Sequence, residues 1–385
     1  MNYEITGSYP SELSQSKLVV KALLLILSVV FIPAAYVFVA AVFIDKSLKR
    51  NLCQSENRNA HILVYAYVAI GLIYSSYKII SALYAAMILL CYYSYLIFNK
   101  SDKESIQKLK NIAMSLSMAV FIYGIFQYMN PGFSMPSKWV DAGEFNLNKR
   151  IYSTFFNPNV FGFYINLILI ISLEKIDFKK INGNFFVFAS GLTCLILTFS
   201  RSAWISLIAA LLAVSLFNKK YLKHALVISA AIFAADYLLG AGRTSIANTA
   251  GDSSFLYRLE VWKTSIEIIK DNFVSGIGFG TLFKHVGNYS QVVSSKIEHS
   301  HNIYIQIFTE TGMLGFSLFI ALLYKAVSFF RHNLVGQDPH IITAFAVLTM
   351  TLIHGFVDSV PLTPQIMMIL SIYAGAVHSY SKSIR

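Results

Sequence analysis

Charge is what this chain has least of. Only 13% of its 385 residues are Asp, Glu, Lys or Arg, where soluble domains carry about 25%. Cysteine is scarce too. Cys53, Cys91 and Cys194 are scattered, two in apolar runs and one in a basic loop, which excludes a disulfide framework and a zinc spacing. No repeat of fixed period and no low-complexity tract occurs. The run Gly276-Ile277-Gly278-Phe279-Gly280 has neither the third-glycine spacing nor the βαβ context of a phosphate loop. No metal-ligand constellation stands out: His299 and His301, two positions apart, would diverge on a helix. The expectation is chemistry without metal or cofactor. The first 17 residues are polar and precede a long apolar run, unlike a cleaved signal peptide, so an uncleaved first span is expected.

What is present is hydrophobic length. Apolar residues make up 56% of the chain, aromatics 15%, and the mean hydropathy is +0.59. Apolar runs fall near 18–44, 61–77, 79–98, 112–129, 157–173, 185–199, 202–217, 225–240, 303–330, 341–357 and 366–380. A bilayer core of ~30 Å needs about 20 apolar residues per helix, with shorter or broken spans admissible. The reading is an all-α, polytopic membrane helical bundle of 11–12 transmembrane helices, a single integral membrane domain over 1–385. Pro33 leaves open whether 18–44 crosses once or twice.

The net charge of +12 does not point to nucleic acid. It gathers in short loops: Lys46, Lys49, Arg50 and Arg58; Lys100, Lys103, Lys108 and Lys110; Lys175, Lys179 and Lys180; Lys219, Lys220 and Lys223; then Arg331, Lys382 and Arg385. Alternating spans put all of these on one side, the cytoplasmic side by the positive-inside rule. The opposite side receives 130–156, the turn at Ser200-Arg201, the segment 241–302 and 358–365. Segment 241–302 is too long for a passive connector. Within it Tyr257, Val261, Ser265 and Ile268 form one stripe, which predicts an amphipathic surface helix near 255–270.

Candidate chemistry collects on that opposite face. Glu298-His299-Ser300-His301-Asn302 runs straight into the apolar stretch from Ile303. His301, Ile305, Phe308, Gly312 and Gly315 share one helical stripe, whose two glycines would admit a neighbouring helix closely. An imidazole at the mouth of that stripe could accept a proton near neutral pH. Arg201, between two short spans, lies at the membrane boundary, where an arginine is costly without a partner. Arg150 and Arg258 reach the same face, and guanidinium groups bind phosphate bidentately. A solvated or lipid-snorkelling role is the plain alternative for each arginine. Asp236, Glu310 and Lys325 are the ionisable residues inside apolar runs, with Asp358 at a span end. Glu310 sits on a different helical face from His301, and a bracing role is expected for it. A proton relay through such residues would make a transporter, the rival reading.

Four motifs in order resemble the bacterial O-antigen ligase and polymerase family. These are His301-Asn302 followed by Gly312 and Gly315; Ser200-Arg201-Ser202-Ala203-Trp204; Tyr257-Arg258-Leu259-Glu260-Val261-Trp262 leading to Gly276-Ile277-Gly278; and Phe155-Phe156-Asn157-Pro158-Asn159. They extend over 150–320. The resemblance implies a GT-C-like membrane glycosyltransferase of the cytoplasmic (inner) membrane, active on its extracytoplasmic side. The implied donor is a glycan on undecaprenyl diphosphate, and the acceptor is lipid A-core or a second lipid-linked glycan, in cell-envelope lipopolysaccharide or polysaccharide biosynthesis. By the same resemblance His301 is the catalytic histidine, and Arg201 and Arg258 hold the diphosphate. Arg150, His299 and Asn302 are flanking candidates for substrate binding. A lipid-linked glycan flippase or other polytopic transporter is the alternative.

Overall fold

The computed structural model describes residues 11–44, 58–130, 132–133, 149–174, 176, 181–239, 242, 253–294 and 297–384. Lys46, Lys49, Arg50, Cys53, Lys175, Lys179, Lys180 and Arg385, read above as loop or tail residues, lie outside them. Within the described residues there are helices and no strand. The α-helices are α1 Ser11–Val30, α2 Ile32–Ile44, α3 Arg58–Ile73, α4 Lys78–Phe98, α5 Lys103–Met129, α6 Pro158–Ser172 and α7 Gly183–Leu197. They continue with α8 Arg201–Ser215, α9 Lys220–Leu238, α10 Ser253–Asp271, α11 Leu282–His285, α12 Ile303–Asn333, α13 Pro339–Gly355 and α14 Pro364–Ser383. Every apolar run of the sequence holds a helix. Four helices are long and apolar enough to cross a membrane by length and composition: α4, α5, α9 and α12.

Local chemistry explains the boundaries. Asp102, Asn157, Asn182, Asn302 and Asp338 each cap a helix with a side-chain oxygen that accepts from backbone N–H groups. Pro158, Pro339 and Pro364 occupy first helical positions, where the missing N–H costs nothing. Pro33 acts differently. It has no N–H to give the carbonyl of Val29, and the helix breaks at Phe31, separating α1 from α2. That carbonyl accepts instead from Thr154 Oγ1 and Gln365 Nε2, each at 3.0 Å. The first apolar run is therefore two helical segments joined through one residue.

The bundle is built around α6. Thirteen of its fifteen residues are buried, which a helix attains only when neighbours surround it. Its Phe161, Phe163, Ile165 and Leu169 enter the largest apolar cluster, with contributions from α5, α7, α8 and α13. With fifteen residues each, α6, α7 and α8 reach about 23 Å at 1.5 Å per residue, short of a ~30 Å bilayer core. A depression forms where α6 begins, α7 ends and α8 begins.

The glycine stripe on α12 has a different use from the one expected. Gly312 has φ 60° and ψ −167°, so α12 is broken there. Among the described residues no helix enters the gap. The glycine loop 276–280 does, and it bonds to the groups left without helical partners: Ile277 N donates to Thr309 O at 3.1 Å, and Gly278 N to Glu310 O at 2.8 Å. In return Met313 N donates to Phe273 O at 2.7 Å. A Cβ on Gly276 would sit 2.5 Å from the backbone of Glu310, and one on Gly312 2.4 Å from Val274 O. The nearest neighbour of Gly315 is Thr311 of its own helix, and the close approach between α12 and α13 is at Gly355, against Ile303. Helical periodicity predicted the stripe; it carries no sign of a break inside it.

Segment 241–302 contains the helix α10. Val261, Ser265 and Ile268 are buried, and Val261 and Ile268 join Ile277, Leu282, Val286, Val293 and Ile297 in a small core of the segment's own.

Candidate functional site

A cavity of about 720 Å³ occupies the depression above α6, α7 and α8. That is within the range of small-ligand sites. Five of the six residues singled out in the sequence line it: Arg150, Arg201, Arg258, His299 and His301. The sixth, Asn302, does not. Its Oδ1 caps α12 by accepting from Tyr304 N (3.0 Å) and Ile305 N (3.1 Å), and its Nδ2 donates to Phe356 O (3.0 Å). It holds the joint on which His301 sits.

Asp358 is the centre of the site, and the sequence reading did not include it. It lies between α13 and α14, 2% exposed. Its Oδ1 accepts from Ser359 N (2.8 Å), is 3.2 Å from His301 Nδ1 and 3.5 Å from His299 Nε2. Its Oδ2 accepts from Asn159 Nδ2 (2.9 Å) and faces an Arg258 nitrogen at 4.0 Å. Asn159 is itself held by Arg150, whose Nη2 donates to Asn159 Oδ1 at 3.0 Å while its Nε donates to Thr198 O at 2.7 Å. Arg150 thus reaches the carboxylate through Asn159. The Asn-Pro-Asn element supplies a cap at Asn157, the first helical residue at Pro158 and this carboxylate clamp at Asn159.

His299 and His301 converge, contrary to the expectation that they point apart. That expectation assumed a helix, but α12 begins only at Ile303, and His301 adopts φ 56°. The turn brings the two rings to 4.4 Å between centroids, nearly edge to face. Ligating atoms of His299, His301 and Asp358 all lie within 4.8 Å of one another and could hold a metal ion. The Arg258 guanidinium opposes a cation there.

Backbone strain concentrates at the cavity. Five non-glycine residues among those described have positive φ, and three of them, Phe156, Phe199 and His301, line it. Each such residue costs about 1–3 kcal/mol and persists where the surroundings impose it, commonly at functional sites. Phe199, at φ 50°, turns the chain from α7 into α8 and sets Arg201 on the first turn of α8. The cavity therefore also receives the positive end of that helix dipole.

Protonation follows from burial and neighbours. Burial lowers the His301 imidazole below its ordinary 6.5; Asp358 opposes the shift, while His299 and Arg258 add to it. The imidazole is neutral at pH 7. With its hydrogen on Nδ1 toward Asp358, the lone pair lies on Nε2. Burial alone would raise the Asp358 carboxyl, but the hydrogen bonds from His299 and His301 and the charge of Arg258 outweigh it and hold the group well below the ordinary 3.8. Asp358 is ionised. The arrangement offers a neutral base braced by a carboxylate, facing three arginines across one cavity.

No relative among curated proteins matches the chain. The matched family region covers α7 through the first half of α12. It includes Arg201, Arg258, His299, His301, Gly312 and Gly315, and stops short of Arg150, Asn159 and Asp358. Residues 186–320 match the family model described as O-Antigen ligase, a match that supports an O-antigen ligase/polymerase-type family for this chain.

Proposed function

We propose that the protein transfers a glycan from undecaprenyl diphosphate to an acceptor hydroxyl at the membrane. The observation that carries this is the convergence of a neutral, carboxylate-braced His301 with Arg201 and Arg258 in one large cavity. The family match supports glycosyl transfer of the O-antigen ligase or polymerase type.

In this reading the donor's diphosphate lies between Arg201, Arg258 and the N-terminus of α8. Charge-assisted hydrogen bonds there stabilise the negative charge that grows as the leaving group departs. The acceptor oxygen attacks the anomeric carbon and its proton passes to His301 Nε2. The bond from that carbon to the diphosphate breaks, and undecaprenyl diphosphate leaves with the electron pair. Attack from the face opposite the leaving group inverts the anomeric centre. Asp358 stabilises the imidazolium formed at His301. The diphosphate is already a competent leaving group, so the step needs no metal. His299 and Arg150 keep Asp358 and Asn159 in place.

Sidedness has support from the bundle itself. The cavity lies where α6, α8 and α12 begin and α7 and α13 end. The opposite end carries Lys100, Lys103, Lys110, Lys219, Lys220, Arg331 and Lys382. The positive-inside rule makes that end cytoplasmic and the cavity extracytoplasmic. At the cavity end Lys78 and Lys149 are occupied, donating to the terminal carbonyls of α3 and α5.

The test is transfer in vitro with purified protein, a lipid-linked glycan donor and an acceptor. Folded His301→Ala and Arg201→Ala variants that still transfer would end the proposal. Surface glycan from a deletion strain separates the branches: single-repeat caps indicate a lost polymerase, and long chains left on the carrier lipid a lost ligase.

A further inference from the structure

A second, smaller cavity lies beside the first, on the other side of Glu298 and His299. It measures about 110 Å³, and Glu298, His299, Thr363 and Pro364 line both. Nothing in the reaction described so far uses it. Its remaining walls come from α3, α4, the glycine loop, the first turns of α12 and the turn after Asp358.

One polar group there is idle. The Ser359 hydroxyl is buried, its residue 2% exposed, and has no hydrogen-bond partner. Glu310 is held through Oε1, which accepts from Gly280 N at 2.8 Å and from Gln306 Nε2 at 2.5 Å. Its Oε2 and the hydroxyls of Tyr67 and Tyr84 belong to residues that line the same cavity. Buried polar groups are ordinarily paired, and leaving one unpaired costs about 1–3 kcal/mol. The Ser359 hydroxyl is such a group, and a ligand in the cavity beside it would supply the missing partner. Two phenol rings, a carboxylate oxygen and a hydroxyl make a set complementary to a sugar ring, with apolar C–H faces against the rings and hydroxyl groups toward the oxygens.

The glycine loop explains how these groups are held. The Tyr84 ring packs on Gly280, where a Cβ would lie 2.3 Å from it, and the Tyr67 ring meets Phe279 at 5.3 Å. Ser81 Oγ donates to Phe279 O at 3.0 Å, fixing the loop on α4. The break at Gly312 and the loop threaded into it thus set Tyr67, Tyr84 and Glu310 around one space.

We infer that this cavity is a sugar subsite: it receives one pyranose ring, held by Glu310, Tyr67, Tyr84 and Ser359, next to the His299 and His301 pair. The inference rests on the glycan-transfer reading for its place in the reaction, because a ring seated there is next to the base. The ring could belong to the acceptor or to the donor glycan; the hydroxyl-and-ring chemistry is shared.

The experiment uses the full chain in lipid nanodiscs. Binding of methyl glucoside, methyl galactoside and methyl N-acetylglucosaminide is measured by saturation-transfer NMR, with Tyr84→Phe, Glu310→Gln and Ser359→Ala variants of unchanged Tm. At least one glycoside is expected to bind the native protein and the His301→Ala variant alike, and Glu310→Gln is expected to weaken it about tenfold. Ser359→Ala, which removes only an idle hydroxyl, keeps the test open should Glu310→Gln fail to fold. In the transfer assay, a KM raised for the acceptor alone assigns the ring to the acceptor, and one raised for the donor alone to the donor. Absence of glycoside binding to the native protein, or binding unchanged in all three variants, would overturn the inference. Glycoside binding that persists while His301→Ala still transfers would overturn the transferase reading and leave the subsite standing.

Discussion

Asp358 and Glu174 are buried carboxylates at opposite ends of the bundle, each facing histidine and a cation, and they are built differently. Glu174 is closed. Lys110 Nζ donates to its Oε2, His340 Nδ1 lies 2.7 Å from the same oxygen, and Thr343 Oγ1 donates to Oε1 at 2.7 Å. The neighbouring cavity, about 120 Å³, is lined mostly by Leu, Ile, Val and Ala. Asp358 meets its histidines at 3.2 and 3.5 Å and its arginine at 4.0 Å, beside a cavity about six times larger. Short, saturated contacts make a strut that ties α5, α6 and α13 together. Longer contacts from side chains that also line a cavity leave donors and a base able to turn to a substrate.

The sharpest way to break this comparison is His301→Ala. Removing a general base costs about 10²–10⁴-fold in rate, so a drop in kcat of about 10³-fold is expected, with Tm held as the folding control. Next come Arg201→Ala and Arg258→Ala, each expected to lower transfer about 10²–10³-fold, the scale of a lost charge-stabilising donor. Lysine replacements should recover little of it, because the planar fork is lost. Asp358→Asn should cost about 10²-fold and also move the pH profile. His301 works as a base when neutral, so activity is lost as pH falls through its pKa, which burial places below 6.5. Asp358 is the neighbour that raises this pKa; removing its charge lowers it further, and the acid limb should shift to lower pH. An acid limb that stays in place would sink the pairing.

Glu174→Gln should show the reverse pattern. Transfer per folded molecule is expected to stay within a factor of about two, while stability falls by about 1–3 kcal/mol, as for a buried hydrogen-bonded group left partly unpaired. Burial alone would raise the Glu174 carboxyl, but His340 and Lys110 lower it from 4.5 to about 2. A depressed carboxyl stabilises the fold above pH 4.5, and that contribution is lost as pH falls toward 2. Thermal unfolding of native and Glu174→Gln protein between pH 7 and 3 should therefore converge. The smallest effect expected is from chelator, which should leave transfer unchanged.

Much of the fold was readable in advance because lipid imposes it. Each apolar run holds a helix. His301, Arg201 and Arg258 were singled out by the motif resemblance and by their expected place on one face, and all three line one cavity. Asp358 was harder: it lies 57 residues from His301 and 199 from Asn159, and neither spacing has a period. Its one signal was an ionisable residue at the end of an apolar run. The pairing of the two histidines was misjudged because a helix was assumed one turn too early, and the left-handed turn at His301 has no sequence mark.

The sequence alone determined that this chain is a helical membrane bundle with its basic residues at one end and its arginine–histidine face at the other. The cause is local and additive: apolar length sets each span, and charge sets each loop. Only tertiary structure decided that Gly312 breaks α12 to admit the glycine loop, that Asn302 is a cap, and that Asp358 gathers His301, His299, Asn159 and Arg258. Those outcomes depend on which segments far apart in the chain fill each other's unsatisfied hydrogen bonds, and no window along one chain contains that information.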